Sequence, residues 1–228
     1  MDIQIKQGPQ CHTSNCYTYR NGDIKYIVIH FTSNNGDTAL NNCNYFSGAN
    51  RGASAHYFIG DDGIYQSVPD KWAAWAVGGT KIYKHPYCRN MNSISIEMCS
   101  RIGADGKYYI RDGIVEQTIK LTRYLMNKYN VPVENVLRHY DVWDKKCPEP
   151  FVRQPELWED FKRRLTGSED LTMSQYTELK ELIEKQAAEI ADLKNINKQL
   201  MTICRRGQER QYKPRKITAH WSVTSKGD

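Results

Sequence analysis

The chain has 228 residues, 39% of them hydrophobic and 25% charged, and it includes 15 tyrosines and 5 tryptophans. That length suits one ordinary domain with an appendage, or two small domains, and the composition excludes a generally disordered chain. The longest apolar runs are far shorter than the roughly 20 residues of a membrane helix, so we expect no membrane span. The first residues show no basic patch followed by an apolar stretch, so the sequence predicts no signal peptide.

The net charge of +6 lies almost wholly at one end of the chain. Residues 205–228 hold seven basic residues against two acidic ones, a net +5, which leaves +1 for residues 1–204. A nucleic-acid-binding domain needs a basic surface that neutralises phosphates. We therefore expect no nucleic-acid partner for the main body, while a basic tail that binds nucleic acid or another partner stays open.

The cysteine count is odd. The seven are Cys11, Cys16, Cys43, Cys88, Cys99, Cys147 and Cys204. In a chain long enough to fold without covalent links, this does not indicate a disulfide framework. We expect ordinary free thiols at six positions. Cys147 stands apart because a histidine precedes it by eight residues.

Strand signals dominate the first 100 residues. Residues 24–31 (IKYIVIHF) are a β-branched and aromatic run, which predicts a buried strand. Residues 54–60 and 64–68 predict two short strands, and the Asp-Asp-Gly between them is typical of a hairpin. In residues 93–98 (SISIEM) apolar and polar side chains alternate, and this period of two places Glu97 on the less apolar face of a strand.

The segment that begins at Asp112 shows the apolar spacing of a helix. Asp112 is a plausible N-cap, and Asn130 with Pro132 predicts the end of that helix. Its apolar positions recur at helical spacing: Val115, Ile119, Thr122, Met126 and Tyr129. Another strand is expected at 135–139, then a loop ending at Cys147-Pro148, then a helix with Leu157, Phe161 and Leu165. Strands interleaved with helices predict an α/β domain over residues 1–166.

The apolar period changes after a linker that begins at residue 167. Four heptads run through Tyr176, Leu179, Ile183, Gln186, Ile190, Leu193, Asn197, Leu200 and Cys204. Isoleucine at a with leucine at d favours a parallel dimer, and Asn197 at an a position would fix the register. We predict a coiled coil within residues 167–206 that makes the protein a homo-oligomer. The alternative is one amphipathic helix docked on the domain.

We expect Gly207 and Pro214 to end this helix and residues 207–228 to form a basic tail. Within the tail, residues 217–225 (ITAHWSVTS) are similar to residues 27–33 (IVIHFTS). This similarity is compatible with the start of a truncated repeat, although chance explains so short a match nearly as well.

A few residues could carry chemistry. His30 ends a predicted strand, and His139 and Cys147 lie eight residues apart across a strand and a loop. Imidazole nitrogen and thiolate sulfur are the ligands that zinc prefers, and a catalytic zinc keeps one position open for a water that it acidifies. By spacing alone, a histidine at a strand end is more often a polar core residue than a ligand.

The sequence resembles the zinc N-acetylmuramoyl-L-alanine amidases of the amidase-2 and peptidoglycan-recognition-protein superfamily, especially those of phage and clostridial endolysins. Five stretches match in order and spacing across about 150 residues: YIVIHFTS (26–33), SAHYFIGDDGIYQSVPD (54–70), AAWAVGG (73–79), YCRNMNSISIEMCS (87–100) and HYDVWDKKCPEP (139–150). The resemblance implies a mixed central sheet flanked by helices, followed here by the coiled-coil helix.

The resemblance also implies roles for particular residues. His30, His139 and Cys147 would bind one Zn²⁺ per chain. Glu97 falls at the position of a catalytic glutamate and Lys145 at that of a catalytic lysine. Such a carboxylate can move a proton from water to the leaving amine, and a cation can stabilise the oxyanion. Without the family, Glu97 would pass for a salt-bridge residue and Lys145 for a solvated charge. Trp75, with Trp72 and Trp143, could line a substrate groove, although aromatic residues are also ordinary core.

Two positions depart from the family. One branch has a catalytic tyrosine immediately before the position of His56, where this chain has Ala55, which places more weight on Glu97. His56 itself we expect to support the sheet. Ala76 stands where relatives commonly have histidine in AWHxG, so lower activity is a possibility that the sequence leaves open.

The resemblance implies a hydrolase that cleaves the amide between N-acetylmuramic acid and L-alanine in peptidoglycan. Without a signal peptide, an enzyme made in the cytoplasm would reach the wall after holin- or lysis-mediated release. We expect the coil to multimerise it and the tail to contact anionic wall polymer. The main alternative is a peptidoglycan-binding protein without activity, but such relatives typically lose the cysteine that Cys147 retains.

Overall fold

The computed structural model describes residues 3–78, 82–167 and 173–211, with the side chains of 173–179 and 207–211 left undescribed. The chain divides into two compact units, Met1–Asp170 and Leu171–Asp228. The described residues of the first unit form ten strands: β1 (Ile5–Gln7), β2 (Cys16–Tyr17), β3 (Tyr26–Phe31), β4 (Tyr57–Gly60), β5 (Gly63–Gln66), β6 (Ala73–Ala74), β7 (Ser93–Met98), β8 (Arg101–Ile102), β9 (Tyr108–Tyr109) and β10 (Val136–Arg138). The described helices are α1 (Ala39–Ser47), α2 (Asp112–Tyr129), α3 (His139–Trp143), α4 (Glu149–Arg153), α5 (Pro155–Leu165) and α6 (Met173–Gln211).

A six-stranded mixed sheet forms the centre of the first unit, in the order β1-β5-β4-β7-β3-β10. β10, β3, β7 and β4 are parallel neighbours, and β5 returns antiparallel to β4. The predicted hairpin is therefore confirmed, with Gly63 at φ 113° after the turn, a backbone conformation that glycine adopts without steric cost. The predicted α/β class is confirmed as well.

One face of the sheet is apolar and is covered by helices. The alternating isoleucines of β3 and β7, together with Tyr57 and Ile59 of β4, pack against the buried faces of α2 and α5 in the main core. The serines and Glu97 of β7 point to the other face, as the period of two predicted. That second face carries the polar side chains on which the site depends.

Two details of the helices differ from the sequence predictions. Arg111, not Asp112, is the N-cap of α2, while Asn130 ends the helix in the left-handed conformation as expected. In α5 the buried residues are Trp158, Phe161 and Leu165, and Leu157 is exposed. The indole of Trp158 stacks on Phe161, with ring centroids 5.4 Å apart, and this larger apolar surface takes the core position instead of Leu157.

The second unit contains α6, a helix of 39 residues. Its described side chains, those of 180–206, are all exposed, including Ile183, Ile190, Leu193 and Leu200 of the predicted heptads. The helix continues to Gln211, so the prediction that Gly207 ends it is wrong: glycine in a helix interior costs only about 1 kcal/mol relative to alanine. Pro214 and the similarity at 217–225 lie outside the described residues. None of the described helices is both long and apolar enough to cross a membrane.

Candidate metal centre and active site

The sheet register brings distant parts of the sequence into one row. His30 of β3 pairs with Glu97 of β7, and Glu97 pairs with Phe58 of β4. Arg138 at the end of β10 pairs with Ile29, so His139, the next residue, follows at the level of His30. Parallel strands that end together present these side chains on one face at their carboxyl ends. The site is therefore a direct product of the register.

His30, His139 and Cys147 converge at this edge. Their ligand atoms all lie within 4.8 Å of one another, and all three residues are buried. The rings of His30 and His139 have centroids 4.6 Å apart, and Cys147 Sγ is 3.9 Å from His30 Nδ1. The loop holds Cys147 in place through its carbonyl, which accepts a hydrogen bond from the Tyr140 N–H at 2.8 Å.

The chemistry of these three side chains fits a metal ion. Within the described residues, His30 Nε2 and both ring nitrogens of His139 are buried without a hydrogen-bond partner, which is costly for polar atoms unless something else satisfies them. Burial lowers the pKa of His30 well below its usual value and that of His139 to about 4, so both rings are neutral, the form that offers a lone pair to a metal. Burial also raises the pKa of the Cys147 thiol, so its ionisation calls for a cation at bonding distance.

Glu97 lies beside this triad. Its Oε1 is 3.9 Å from His30 Nδ1, and its Oε2 is buried with no hydrogen-bond partner among the described residues. Burial raises the pKa of Glu97 to about 7; the Lys145 charge opposes this rise and Asp37 adds to it. A carboxylate with a pKa near neutrality can both accept and return a proton.

Lys145 is exposed in the loop before Cys147, where Asp144 has a left-handed backbone (φ 45°). The Lys145 charge is close enough to help lower the pKa values of His30 and His139. The fold therefore brings together all five residues that the sequence singled out as ligands or catalytic groups.

Trp75 is placed differently. Its ring meets Tyr17 edge-on at 5.3 Å, its backbone N–H donates to Ser54 Oγ, and its Nε1 is buried without a partner in the part of the chain that the structure describes. No contact joins it to the triad among the described interactions. Its neighbour Ala76 packs partly buried against the small cluster that contains Val28.

His56 and Arg20 hold the sheet beneath the site, and Arg20 is a residue that the sequence did not single out. The buried His56 accepts a hydrogen bond at Nδ1 from the Ser95 N–H, as expected for a residue that supports the sheet. Arg20 lies against His56 Nε2 at 2.9 Å and donates to five backbone carbonyls: Asp70, Trp72, Asn90, Met91 and Ser93. The residues that supply these five carbonyls lie 50 to 73 positions from Arg20 in sequence, so no local pattern predicts the contacts.

A cavity of about 490 Å³ opens beside Glu97, and none of the three candidate ligands lines it. Phe58 and Phe46 contribute rings to its lining, and Asn41, Asn42 and Tyr45 of α1 form a wall. The sequence pattern does not predict α1, because the polar composition of this helix hides its period. Thr38, which caps the helix by accepting from the Asn41 N–H, is the local signal for it.

Buried nitrogen and sulfur donors beside a carboxylate of raised pKa are the groups that metal-dependent hydrolytic sites use. Residues 20–150 match the N-acetylmuramoyl-L-alanine amidase family (Amidase_2), and the chain belongs to this family.

Curated proteins similar to this chain carry the same family name. A probable N-acetylmuramoyl-L-alanine amidase of Bacillus licheniformis is 33% identical, with 62% of this chain and 41% of that protein covered. The amidase BlyA of Bacillus subtilis is 32% identical with the same coverage. The chain thus spans about two fifths of the length of these curated relatives. Among solved structures, the PlyG catalytic domain is 26% identical with a TM-score of 0.60, over 75% of this chain and 98% of that one.

Proposed function

We propose that the protein hydrolyses the amide between the lactyl group of N-acetylmuramic acid and L-alanine in peptidoglycan, as an endolysin of the phage or prophage type. The observation that carries this is the buried triad of His30, His139 and Cys147 beside Glu97, inside the segment that matches the amidase family. The names of the relatives support the choice of bond.

The triad would hold one Zn²⁺, since two imidazoles and a thiolate are ligands that zinc prefers and three protein ligands are usual in catalytic sites. When bound, zinc supplies Lewis acidity, which polarises a carbonyl group and acidifies water. The unpartnered ring nitrogens of both histidines support this assignment over a purely structural cluster.

Two residues beside the triad would act in the reaction, one by moving a proton and the other by stabilising negative charge. Glu97 takes the proton of the attacking water and delivers it to the nitrogen of the leaving alanine, which its pKa near 7 allows in both directions. Lys145 offsets the negative charge that develops on the amide oxygen. Trp75 would contact the substrate beyond this centre, beside Tyr17, rather than at the scissile bond.

Digestion of purified peptidoglycan followed by mass spectrometry tests the proposal. The expected products are stem peptides with a free N-terminal alanine, absent with Glu97→Gln and present with Glu156→Gln, a surface control. New reducing sugar ends in place of free alanine would identify a glycosidase and refute the amidase.

We further propose that α6 assembles copies of the chain through its heptads. The exposed Ile183, Ile190, Leu193 and Leu200 support this, because apolar side chains at a and d positions gain by packing against a second helix. We also propose that a holin or lysis releases the enzyme to the wall. The basic tail would then contact anionic wall polymer. Truncation after residue 166 should leave cleavage of small fragments intact and reduce retention on pelleted walls; unchanged retention would exclude the anchoring role.

A further inference from the structure

The apolar surface of α6 is wider than the predicted heptads require. A second row of side chains lies at the g positions, one residue before each a position, and its described members are Leu182, Glu189, Ile196 and Ile203. The three apolar members are exposed. Successive residues of a helix are about 100° apart, so g and a enclose the d row in a stripe about 100° wide. A seam of a and d alone would be about half as wide.

The g row completes an apolar seam in the second half of the helix. There the a row contains the polar Asn197, whereas the g row contains Ile196 and Ile203. The residues of this seam are Leu193, Ile196, Leu200 and Ile203. Leucine thus takes the a-type place in the seam and isoleucine the d-type place. That pattern shifts the preference of a coiled coil from two strands to three or four.

The first half of the helix favours the original seam. Ile183 and Ile190 occupy a positions there, whereas the g row contains the charged Glu189. The d row, with Leu193 and Leu200, belongs to both seams, so a helix that uses both has one neighbour on each side of that row. Two neighbours per helix are possible only in a bundle of three or more. A dimer would leave much of the apolar g row in water, and burying that surface is favourable.

A copy of α6 is the partner that charge and length favour. In parallel helices in register, a g residue lies near the e residue five positions later on its neighbour. Glu189 would then meet Lys194, which has the opposite charge, and Ile196 would meet the apolar Met201. α6 has 39 residues, more than twice the 18 of α2. Among the described helices, only another α6 can therefore cover this face over its whole length.

We propose that α6 assembles three or four copies of the chain into a parallel bundle, with the g row as a second contact surface beside the a and d rows. This rests on the proposed assembly through α6 and assigns the number of partners. Such a bundle holds three or four catalytic units together, so that weak contacts of each copy with the wall add up to tighter retention.

Light scattering on the full chain at several concentrations tests the number of partners, because assembly follows mass action. The expected mass is three or four times the 26.5 kDa of one chain. Ile196→Gln combined with Ile203→Gln should reduce it to two chains, since the a and d rows remain. Glutamine is a better helix former than isoleucine, so this change does not weaken the helix itself. Ala188→Gln combined with Thr202→Gln, at two exposed f positions, should leave the mass unchanged.

The possible masses separate this proposal from those on which it rests. A wild-type mass of two chains would overturn the bundle and leave assembly through α6 in place. An unchanged mass in the g-row variant would exclude that row from the interface, and a fall to one chain would show a single seam; either would overturn the proposal. A single-chain wild type would remove assembly and bundle together. Analysis of the peptidoglycan products tests the amidase independently of all these masses.

An exchange of charges tests the parallel arrangement. Glu189→Lys places a lysine opposite Lys194 of the neighbouring copy and should raise the concentration needed for assembly severalfold. Glu189→Lys combined with Lys194→Glu should restore the wild-type concentration dependence, because each pair again has opposite charges. A double variant that assembles no better than the single one would overturn the parallel register.

Discussion

Glu97 lies directly across from His30 in the parallel pairing of β3 and β7, with its Oε1 3.9 Å from His30 Nδ1. The two residues are separated by 67 positions in sequence, and the sheet register alone makes them neighbours. A change of one residue in this register would turn Glu97 into the apolar core, because alternate side chains of a strand face opposite sides. The packing of Ile94, Ile96 and Met98 on the other face therefore also orients Glu97.

Metal binding should depend on Cys147 and not on the other buried thiols. We expect about one zinc per chain in the wild type and a large loss of zinc in Cys147→Ser, because the hydroxyl is a much poorer ligand. Cys88→Ser, at a thiol equally buried under β3, should retain the metal. Atomic absorption on dialysed protein measures this, and equal zinc content in the two variants would remove Cys147 from the site.

The two adjacent lysines should behave differently. Lys145→Ala should lower kcat about 100-fold, the typical cost of losing one group that stabilises an oxyanion. Lys146→Ala, which removes the same charge one residue closer to Cys147, should keep kcat within about twofold. Release of alanine-terminated peptide, followed over time, gives both values. A similar fall in both variants would indicate a general charge effect instead.

Arg20 should matter for stability more than its position near the N-terminus suggests. Arg20→Ala leaves several buried carbonyls without their donor, so we expect the free energy of unfolding to fall by about 3 kcal/mol or more. Arg111→Ala, which breaks a half-exposed ion pair with Asp61, should cost less than about 1 kcal/mol. Urea denaturation of both variants checks this, and equal costs would contradict the role of Arg20.

Asp70 should make the domain sensitive to acid. Burial would raise its pKa, but hydrogen bonds from Tyr129, Tyr57 and Lys128 outweigh burial and lower it. Since the folded pKa lies below the unfolded value of about 4, ionised Asp70 stabilises the fold above that pH, and this stabilisation is lost as the pH falls through the folded pKa. Asp70→Asn should therefore cost most near pH 7 and progressively less below pH 4 in denaturant titrations. A cost that does not change with pH would mean that the charge contributes nothing.

The oligomer should depend on one face of α6. Light scattering should give a mass above the 26.5 kDa of one chain, and Ile190→Asp, at a predicted a position, should reduce it to one chain. Ala188→Asp places the same charge two residues away, outside the a and d positions, and should leave the mass unchanged. A single-chain mass for the wild type would exclude the coiled coil in favour of a lone amphipathic helix.

Sequence patterns predicted the central strands well because those strands carry strong local signals. The alternation in SISIEM and the apolar run around Ile27 correspond to β7 and β3, and the Asp-Asp-Gly turn to the β4–β5 hairpin. The helices were predicted less well in detail. Choosing between Leu157 and Trp158 for the core requires knowing how much apolar surface each buries, and neighbours distant in sequence decide that.

By itself, the sequence determined the α/β class and made His30, His139 and Cys147 candidate ligands, because residues at strand ends and in one loop are visible in linear order. Its resemblance to the amidase family supplied the candidate catalytic pair Glu97 and Lys145. Only the tertiary structure decided that these groups meet, that burial holds the imidazoles neutral and raises the pKa of Glu97, and that a polar cavity under α1 adjoins them. The physical reason is that pKa values, hydrogen-bond satisfaction and cavity shape depend on which groups are close in space. The contacts of Arg20 and the row from His30 to Phe58 join residues that no local pattern relates.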